Sequence, residues 1–234
     1  EGVVEDALLE AGGQIIVKRG IHGMGKGYLQ AESNVICQFI ENAIVSSGGF
    51  VETNSILHSR VSASSEIHVS GKKGFITGGM IRAGALVAAQ TIGSPMGTDT
   101  RVEVGADPKK KERFQELKET LEKENEELDK CKVILATYTK KLQSGEQLPP
   151  ERMSYVQKLA YAYKAKKHTV EELRNEYADL QQELMFANHA KIQISKTIYP
   201  GVTVAISDLE MRVKDEQNFC QYIKKDGEIV RTTL

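Results

Sequence analysis

This chain has few cysteines, no excess of one charge and no long apolar run. Its 234 residues include three cysteines, which are too few and too scattered for a disulfide framework or a zinc site. We expect Cys37 and Cys131 to be buried, reduced thiols in a reducing cytoplasm. No apolar run approaches the roughly 20 residues that span a bilayer, and no signal peptide is visible. The sequence therefore predicts a cytoplasmic protein without a membrane span.

The charges are nearly balanced, with a formal net charge of −1. No global field would draw such a chain to nucleic acid or to an anionic membrane. The basic clusters at 109–111 and 164–167 lie among glutamates, which is typical of a solvated helix face, so we expect no nucleic-acid partner. The chain begins at Glu1 rather than at a methionine, which indicates a fragment or a processed piece.

Five copies of a small-residue pattern fill the first hundred residues. An aliphatic residue comes two positions before each small anchor, a second small residue comes two positions after it, and inward-type residues follow four and six positions after it. Alternate side chains of a strand share one face, and a repeat of this length is typical of stacked coils. The pattern predicts a parallel β-solenoid over residues 1–106. The anchors, separated by 20, 16, 16 and 20 positions, are Ala11, Ala31, Ser47, Ala63 and Ala83.

The two longer coils owe their length to glycine-rich stretches at 20–27 and 71–79. Glycine adopts positive φ without steric cost, so these stretches predict wide turns or an added strand at one corner.

A helical period replaces the strand period after Gly105. Asp107 is a plausible N-cap, and Pro108 suits the first helical turn. Two seams with alternating steps of three and four residues predict two helices of about 36 residues, each roughly 54 Å long. The short break at 145–150 favours an antiparallel coiled-coil hairpin over 107–190. The seams run through Phe114, Leu117, Leu121, Glu124, Leu128, Cys131, Leu135, Tyr138 and Leu142, then Val156, Leu159, Tyr163, Lys166, Val170, Leu173, Tyr177, Leu180, Leu184 and Ala187.

Folding the seams back about Pro149 predicts which side chains face each other. Polar Glu124 and Lys166 interrupt the seams, and we expect them to control register or to reach solvent. The expected facing pairs are Leu142 with Val156, Leu135 with Tyr163, Leu128 with Val170, and Leu121 with Tyr177.

Strand-type alternation returns at Lys191 and continues to the end of the chain. A β-hairpin is predicted around Asp226-Gly227. Because a hairpin insertion returns the chain to its starting point, we expect Arg101–Val104 and Lys191–Ser195 to lie in adjacent coils or in one sheet. Residues 191–234 then complete or cap the solenoid.

Several stretches of this sequence resemble the flagellar assembly protein A family. They are 20–27, 41–43, 71–74, 78–84, 91–98, 104–105 and 197–202, and among them Thr91-Ile92-Gly93-Ser94-Pro95-Met96-Gly97-Thr98 is the most specific. The resemblance covers essentially the whole chain, with the helical hairpin in the family's position. It implies a bacterial cytoplasmic protein with a right-handed parallel β-helix, a coiled-coil arm and a part in flagellar assembly or placement. It brings no catalytic residues.

The residues themselves show no catalytic constellation. Gly20 to Lys26 fits most of a phosphate-binding loop, but Gly27 stands where Ser or Thr would bind Mg²⁺, and a β-coil follows instead of a helix. His58 and His68 have no Asp or Ser partner evident from spacing. We expect no cofactor and no metal ion.

The sequence favours a non-enzymatic scaffold that presents a helical arm and solenoid faces to protein partners. Tyr155, Tyr161, Lys72 and Lys73 are the candidate partner contacts, and open solenoid ends predict homo-oligomerisation. By resemblance, the partners belong to the flagellar assembly or polar machinery, at the cell pole or the flagellar base. The alternative is a β-helix enzyme, carbohydrate-active or acyl-transferring, with its site at the glycine-rich corner 20–27/71–79.

Overall fold

A computed structural model describes residues 2–105, 108–144, 148–187 and 189–234. It divides into two compact units, Glu1–Pro108 with Glu183–Leu234, and Lys109–Gln182. The elements in chain order are β1 (Val4–Glu5), β2 (Leu8–Ala11), β3 (Ile15–Ala31), β4 (Val35–Ser47), β5 (Val51–Thr53), β6 (Ser55–Ala63), β7 (Glu66–Val69), β8 (Phe75–Ala83), β9 (Leu86–Ile92), β10 (Thr100–Val104), α1 (Pro108–Gln143), α2 (Pro150–Ala187), β11 (Lys191–Ile198), β12 (Thr203–Ile206), β13 (Leu209–Arg212), β14 (Gln217–Lys225) and β15 (Glu228–Thr233).

The strands of the first unit form one mixed sheet that winds through stacked coils, as predicted for a β-solenoid. Leu29 pairs with Val45, and Val45 pairs with Val61, both in parallel register. All three side chains are at most 2% exposed, so they share one column of a single interior. The strip of strands that carries this column, which runs from β2 to β12, is called the anchor face below.

The second predicted column also forms, on the strip that follows the anchor corner. Val35 pairs with Val51, and Val51 with Ile67, which pairs in turn with Val87. Each of these four side chains is fully buried. The strand pattern read from the sequence therefore places the inward side chains of both strips correctly.

A third strip, which the sequence analysis did not identify, closes each coil. Its inward position is held by isoleucine in six successive coils, and all six side chains are 0% exposed. Parallel pairing stacks them directly on one another, so their methyl and methylene groups form a continuous apolar column. They are Ile21, Ile40, Ile56, Ile76, Ile92 and Ile198.

The glycine-rich stretches absorb the extra length of the long coils. Against β4, the register of β3 shifts between Val17 and Gly20 and again between His22 and Gly27. The stretch 20–27 is thus part of a strand, whereas Gly71 begins a turn that leads into β8. The sequence predicted a wide turn or an added strand, and the structure has a strand at the first stretch and a turn at the second.

Glycine is required at two positions of the anchor corner because successive coils approach closely there. A Cβ on Gly48 would lie 2.1 Å from the carbonyl oxygen of Glu32, and one on Gly84 would lie 2.0 Å from that of Ser64. No side chain fits in that space without displacing backbone. Glycine at positions 48 and 84 is therefore a consequence of coil stacking.

Buried hydroxyl groups satisfy the backbone at the corner that follows the third strip. His58 there has a left-handed backbone, with φ 45°, and Ser59 follows it. The Ser59 hydroxyl donates to the carbonyl of Leu57 at 2.8 Å and accepts from the backbone N–H of Ala43 at 3.2 Å. Ser59 is 2% exposed, so water cannot replace these hydrogen bonds.

The helical insertion occupies one anchor corner of the solenoid. Val104 pairs with Ala83 and Lys191 pairs with Leu86, so Gly105 takes the place of Gly84, and Ala190 that of Ala85. The Cβ position of Gly105 lies 3.5 Å from the Cβ of Ala190. Residues 106–189 are thus inserted between two neighbouring positions of an ordinary corner, and β10 and β11 belong to one sheet.

The last strands add antiparallel pairs to the solenoid. β13 pairs with β12, β14 with β11, and β15 with β14. Asp226 and Gly227 have φ values of 51° and 83°, as a two-residue type I′ hairpin turn requires. Tyr222 of β14 is fully buried, and its hydroxyl donates to Oε1 of Gln217 at 2.7 Å. Burial raises the pKa of Tyr222 to about 12.

In the second unit, α1 begins at Pro108 as predicted, and Asp107 lies outside the described residues. The predicted seam residues are less exposed than their helix neighbours, and Leu117, Leu121 and Val170 are buried. Leu142 is an exception at 40% exposed. An ion pair and a ring contact join residues early in α1 to residues late in α2. The two helices are therefore antiparallel.

The predicted register of the two helices is wrong by about one heptad. The Tyr177 ring stacks on Phe114, with centroids 4.6 Å apart, rather than facing Leu121. Because α1 ends at Gln143 and α2 begins at Pro150, the centre of the reversal precedes Pro149, about which the prediction folded the chain.

Replacing Ser59 by alanine tests the buried hydroxyl at the corner. Ser59→Ala leaves the Ala43 N–H and the Leu57 carbonyl without this partner, so we expect the free energy of unfolding to fall by about 1–3 kcal/mol. Urea denaturation measures the change. Ser64→Ala, at an exposed position of the anchor corner, is the control and should change stability by less than about 0.5 kcal/mol. Equal effects of the two substitutions would contradict the assignment.

Deleting residues 106–189 tests the position of the insertion. Joining Gly105 to Ala190 should restore an ordinary corner, so the shortened chain should fold, keep its β circular dichroism signal and melt cooperatively. Deleting 105–189 removes one more residue and would turn the following inward side chains outward. We expect that second deletion to prevent folding, and equal behaviour of the two chains would show that the corner is placed incorrectly.

Candidate interaction surfaces

Tyr155 and Tyr161, predicted as partner contacts, are both exposed on α2, by 51% and 80% of their surface. They do not form one patch, because six residues on a helix correspond to a rotation of about 240° beyond a full turn, which leaves them on different sides. Tyr161 lies on the side of α2 opposite the seam. The structure therefore separates the two predicted contacts.

From the register of the two helices we infer that Tyr155 lies opposite Ile134 of α1. Arg113 and Glu176 form an ion pair across the helices, with Nε 2.8 Å from Oε1. Ile134 lies three heptads after Arg113, and Tyr155 lies three heptads before Glu176, so the heptad repeat brings them to the equivalent position across the same edge. Ile134 is 38% exposed and Val133 beside it is 67% exposed. We call Val133, Ile134 and Tyr155 the helical patch.

The polar interruptions of the two seams meet each other. Nζ of Lys166 lies 3.1 Å from Oε2 of Glu124 and also contacts Glu127. The hydrogen bonds to Glu127 and Glu124 raise the pKa of Lys166, and the hydrogen bond from Lys166 lowers the pKa of Glu127. The side chains of Lys166 and Glu124 keep 24% and 31% of their surface exposed, and Glu127 keeps 61%. Partly solvated ion pairs add little stability, so we expect these charges to favour one register over others.

Lys72 and Lys73 lie in the exposed turn between β7 and β8. Neither makes an ion pair with any described residue. The Gly71 carbonyl in the same turn accepts a hydrogen bond from Nε2 of Gln90 at 2.5 Å, which fixes the turn against β9. The two lysines belong to the first unit, and the exposed tyrosines belong to the second.

The glycine-rich corner is filled by neighbouring side chains. A Cβ on Gly20 would lie 2.3 Å from the Phe39 ring, and one on Gly78 would lie 2.4 Å from Nδ1 of His58. The glycines at these two positions therefore leave room for side chains of the adjacent coil. The stretch 20–26 lies inside β3 and is followed by more strand, which is not the strand-to-helix turn of a phosphate-binding loop.

Histidines of the solenoid have acidic partners that the sequence analysis missed. Nε2 of His68 lies 2.7 Å from Oε2 of Glu66, two residues earlier on the same strand. Nδ1 of His22 lies 3.4 Å from Oε2 of Glu41 on the next coil. The spacing of two on a strand was a usable signal for the first pair, whereas the second depends on the register between coils. Among the described residues, no group of three or more His, Cys, Asp or Glu could hold a metal ion.

Cysteine placement agrees in part with the expectation from sequence. Cys37 is buried, and Cys131 is half-buried on the α1 seam. Burial raises the pKa of the Cys37 thiol to about 11, which a hydrogen bond with Thr53 offsets only in part. Cys37 is therefore protonated at neutral pH and packs as a small apolar residue.

A charge network joins strands on both sides of the insertion. On the outer side of the anchor face, Glu103 of β10 accepts from Nε of Arg82 at 2.7 Å and from Nε of Arg101 at 2.5 Å. Arg101 also pairs with Glu210 of β13 at 2.9 Å. Burial alone would raise the pKa of Glu103, but the hydrogen bonds from Arg101 and Arg82 outweigh it and hold that pKa below its usual value.

The family model described as the flagellar assembly protein A β-solenoid domain matches residues 1–229. The chain belongs to this family. The match covers the coils, the two-helix insertion and the returning strands, and so agrees with the predicted family and fold class. No curated protein and no solved structure matches the chain. Within the described residues, no helix is long and apolar enough to cross a membrane.

Glu103→Gln tests the charge network in this family member. A lowered pKa means that the carboxylate stabilises the fold above its unfolded pKa, and that this contribution is lost as pH falls through the folded pKa. At pH 7 we expect a loss of about 1–3 kcal/mol, which shrinks toward zero below pH of about 4. Urea denaturation across this pH range measures it. Glu52→Gln, at an exposed strand position, is the control, and a pH-independent effect of Glu103→Gln would contradict the network.

Proposed function

We propose that this chain is a non-enzymatic scaffold in bacterial flagellar assembly, which presents its two-helix insertion and its solenoid faces to protein partners. The family match supports the flagellar part of the proposal. The scaffold role is supported by the position of residues 106–189, which are inserted at a single corner of the solenoid. The described part of this segment adds no strand to the solenoid, so its length is available for a role other than folding the coils.

The exposed apolar side chains of the second unit support protein contact. The helical patch combines a tyrosine with two aliphatic residues, and aromatic residues are enriched at protein interfaces. A shallow groove on α1, lined by Glu126, Asp129, Lys130, Val133 and Ile134, continues the patch with charged groups at its rim. An apolar centre with a charged rim is the usual anatomy of an interface.

Placement in the cytoplasm, at the cell pole or the flagellar base, is part of the same proposal. A fluorescent fusion should form foci at those sites if the scaffold acts there. The alternative is a carbohydrate-active or acyl-transfer enzyme with its site at the corner 20–27/71–79. It is supported by the pairing of His22 with Glu41, whose side chains lie 3.4 Å apart. It is weakened by the Phe39 and His58 rings, which occupy the space over Gly20 and Gly78.

Complementation in a flagellated host that lacks its own copy tests the proposal. Deleting 106–189, with Gly105 joined to Ala190, should abolish swimming and flagella while the protein still accumulates. Ile134→Ser combined with Tyr155→Ser should reduce swimming to a similar degree. Met24→Ser removes an apolar side chain of the first unit that is even more exposed and should leave swimming unchanged.

The same assay separates the scaffold from the enzyme. His22→Ala with Glu41→Ala should leave swimming intact if the chain is a scaffold. Loss of swimming in that variant, together with full function of the 106–189 deletion, would overturn the proposal in favour of the enzyme. The readouts are the swimming halo, the number of flagella by electron microscopy and the protein level by immunoblot.

A further inference from the structure

An apolar stripe crosses the outer side of the anchor face. Outward side chains of successive coils stack in columns just as inward ones do, because parallel pairing aligns them. Leu8, Ile44 and Met80 in this column are exposed by 71%, 45% and 38%. The full column, in order of pairing, is Leu8, Tyr28, Ile44, Arg60, Met80 and Arg101.

The neighbouring column leaves the stripe accessible. Two positions further along the strands, Ser46 pairs with Ser62, and the Ser62 hydroxyl lies 3.3 Å from that of Ser46. These two side chains are shorter than Ile44, so Ile44 projects beside a low polar strip, whereas Gln30 and Arg82 stand at the equivalent positions beside Tyr28 and Met80. A partner can therefore contact Ile44 from above and from one side.

The charge of this surface has one sign at its centre. In the four coils from Tyr28 to Met80, the stripe and its two flanking columns carry Lys26, Arg60 and Arg82 but no carboxylate. Carboxylates occur only at the two ends of these columns, where they belong to Asp6, Glu10, Asp99 and Glu103. Glu103 neutralises Arg82, whereas Arg60 has no ion pair with any described residue. Arg60 is thus an unpaired cation between Ile44 and Met80.

We propose that the outer stripe of the anchor face is the docking surface for an acidic amphipathic helix of a partner protein. Its apolar ridge would pack on Tyr28, Ile44 and Met80, and a carboxylate would pair with Arg60. This inference rests on the proposed scaffold function and names one of its partner surfaces. It concerns the solenoid, so it is separate from the helical patch.

A helix fits this surface better than an extended strand does. The central strands each have a neighbour on both sides, so they offer no free N–H or C=O groups for strand addition. Successive side chains of the stripe are about 4.8 Å apart, and one face of a helix repeats about every 5.4 Å. A helix that crosses the strands can therefore place one side chain against each coil over several turns.

Charge favours this occupant over a second copy of the chain. Two stripes placed face to face would bring Lys26 and Arg60 of one copy near those of the other, with no carboxylate between them at the centre. Acidic residues that flank the apolar ridge of a helix would instead neutralise both cations.

A designed peptide tests the proposal directly. The probe is a fluorescein-labelled peptide of about 18 residues, with leucines one or two turns apart on one face and glutamates beside them. Fluorescence anisotropy with the full chain measures its dissociation constant. The peptide controls are a sequence with the same composition but no apolar face, and a version with every glutamate replaced by lysine.

We expect the acidic amphipathic peptide to bind and both control peptides to bind at least about tenfold more weakly. Ile44→Ser and Arg60→Glu should each raise the dissociation constant at least about tenfold. The matched controls are Ile16→Ser and Arg19→Glu, which change an exposed apolar and an exposed basic residue away from the stripe. They should leave the dissociation constant unchanged. Circular dichroism checks that each variant folds.

Several outcomes would overturn the proposal. They are no binding of the acidic peptide, equal binding of the peptide without an apolar face, or equal effects of Ile44→Ser and Ile16→Ser. Concentration-dependent dimerisation that Ile44→Ser abolishes would assign the stripe to a second copy. Flotation with phosphatidylcholine–phosphatidylglycerol vesicles that Ile44→Ser abolishes would assign it to a membrane surface. Swimming of the 106–189 deletion strain tests the scaffold function separately, so the two failures are distinguishable.

Discussion

The register of parallel backbone hydrogen bonds between coils is the constraint on which the rest of this structure depends. Once Leu29 pairs with Val45 and Val45 with Val61, every inward and outward side chain of those coils has its place in a column. A shift of one residue would exchange the two sides of a strip. The apolar interior, the isoleucine column and the outer stripe of the anchor face are consequences of the same register. Glycines at 48 and 84 are needed because this register brings the backbones together at the anchor corner.

Much of this solenoid could be read from the sequence where the spacing within a coil is constant. The distance from an anchor to the next two inward positions does not vary, so the columns through Val45 and Val51 were predictable. In the two longer coils the isoleucine of the third strip lies within a glycine-rich stretch, and the extra residues there change its distance from the anchor. The isoleucine column is therefore invisible to any search with a fixed period. Only the pairing of strands shows that Ile21 and Ile76 hold the same position.

The helices show the same limit for a different reason. Helix periodicity identifies which residues lie on the seam, and the reduced exposure of those residues agrees with it. It does not say how far one helix has slid along the other, which depends on where the reversal lies. A better signal was present in the sequence, because the two polar interruptions, Glu124 and Lys166, pair with each other. The same limit applies to the candidate contacts. The exposure of Tyr155 was predictable, whereas its place opposite Ile134 depends on the register between the two helices.

The short distance between the Gly105 backbone and Ala190 has a thermodynamic consequence for the inserted segment. A free chain of this length loses entropy when its ends meet, and that loss opposes the pairing of two helices. Here the coils tether both ends, so the helices can zip together from a junction that already exists. The reverse also follows: the helices can fray or melt from the far end while the tethering coils stay folded. The solenoid therefore stabilises the helical pair by holding its two ends together, although the coils do not need the helices for their own folding.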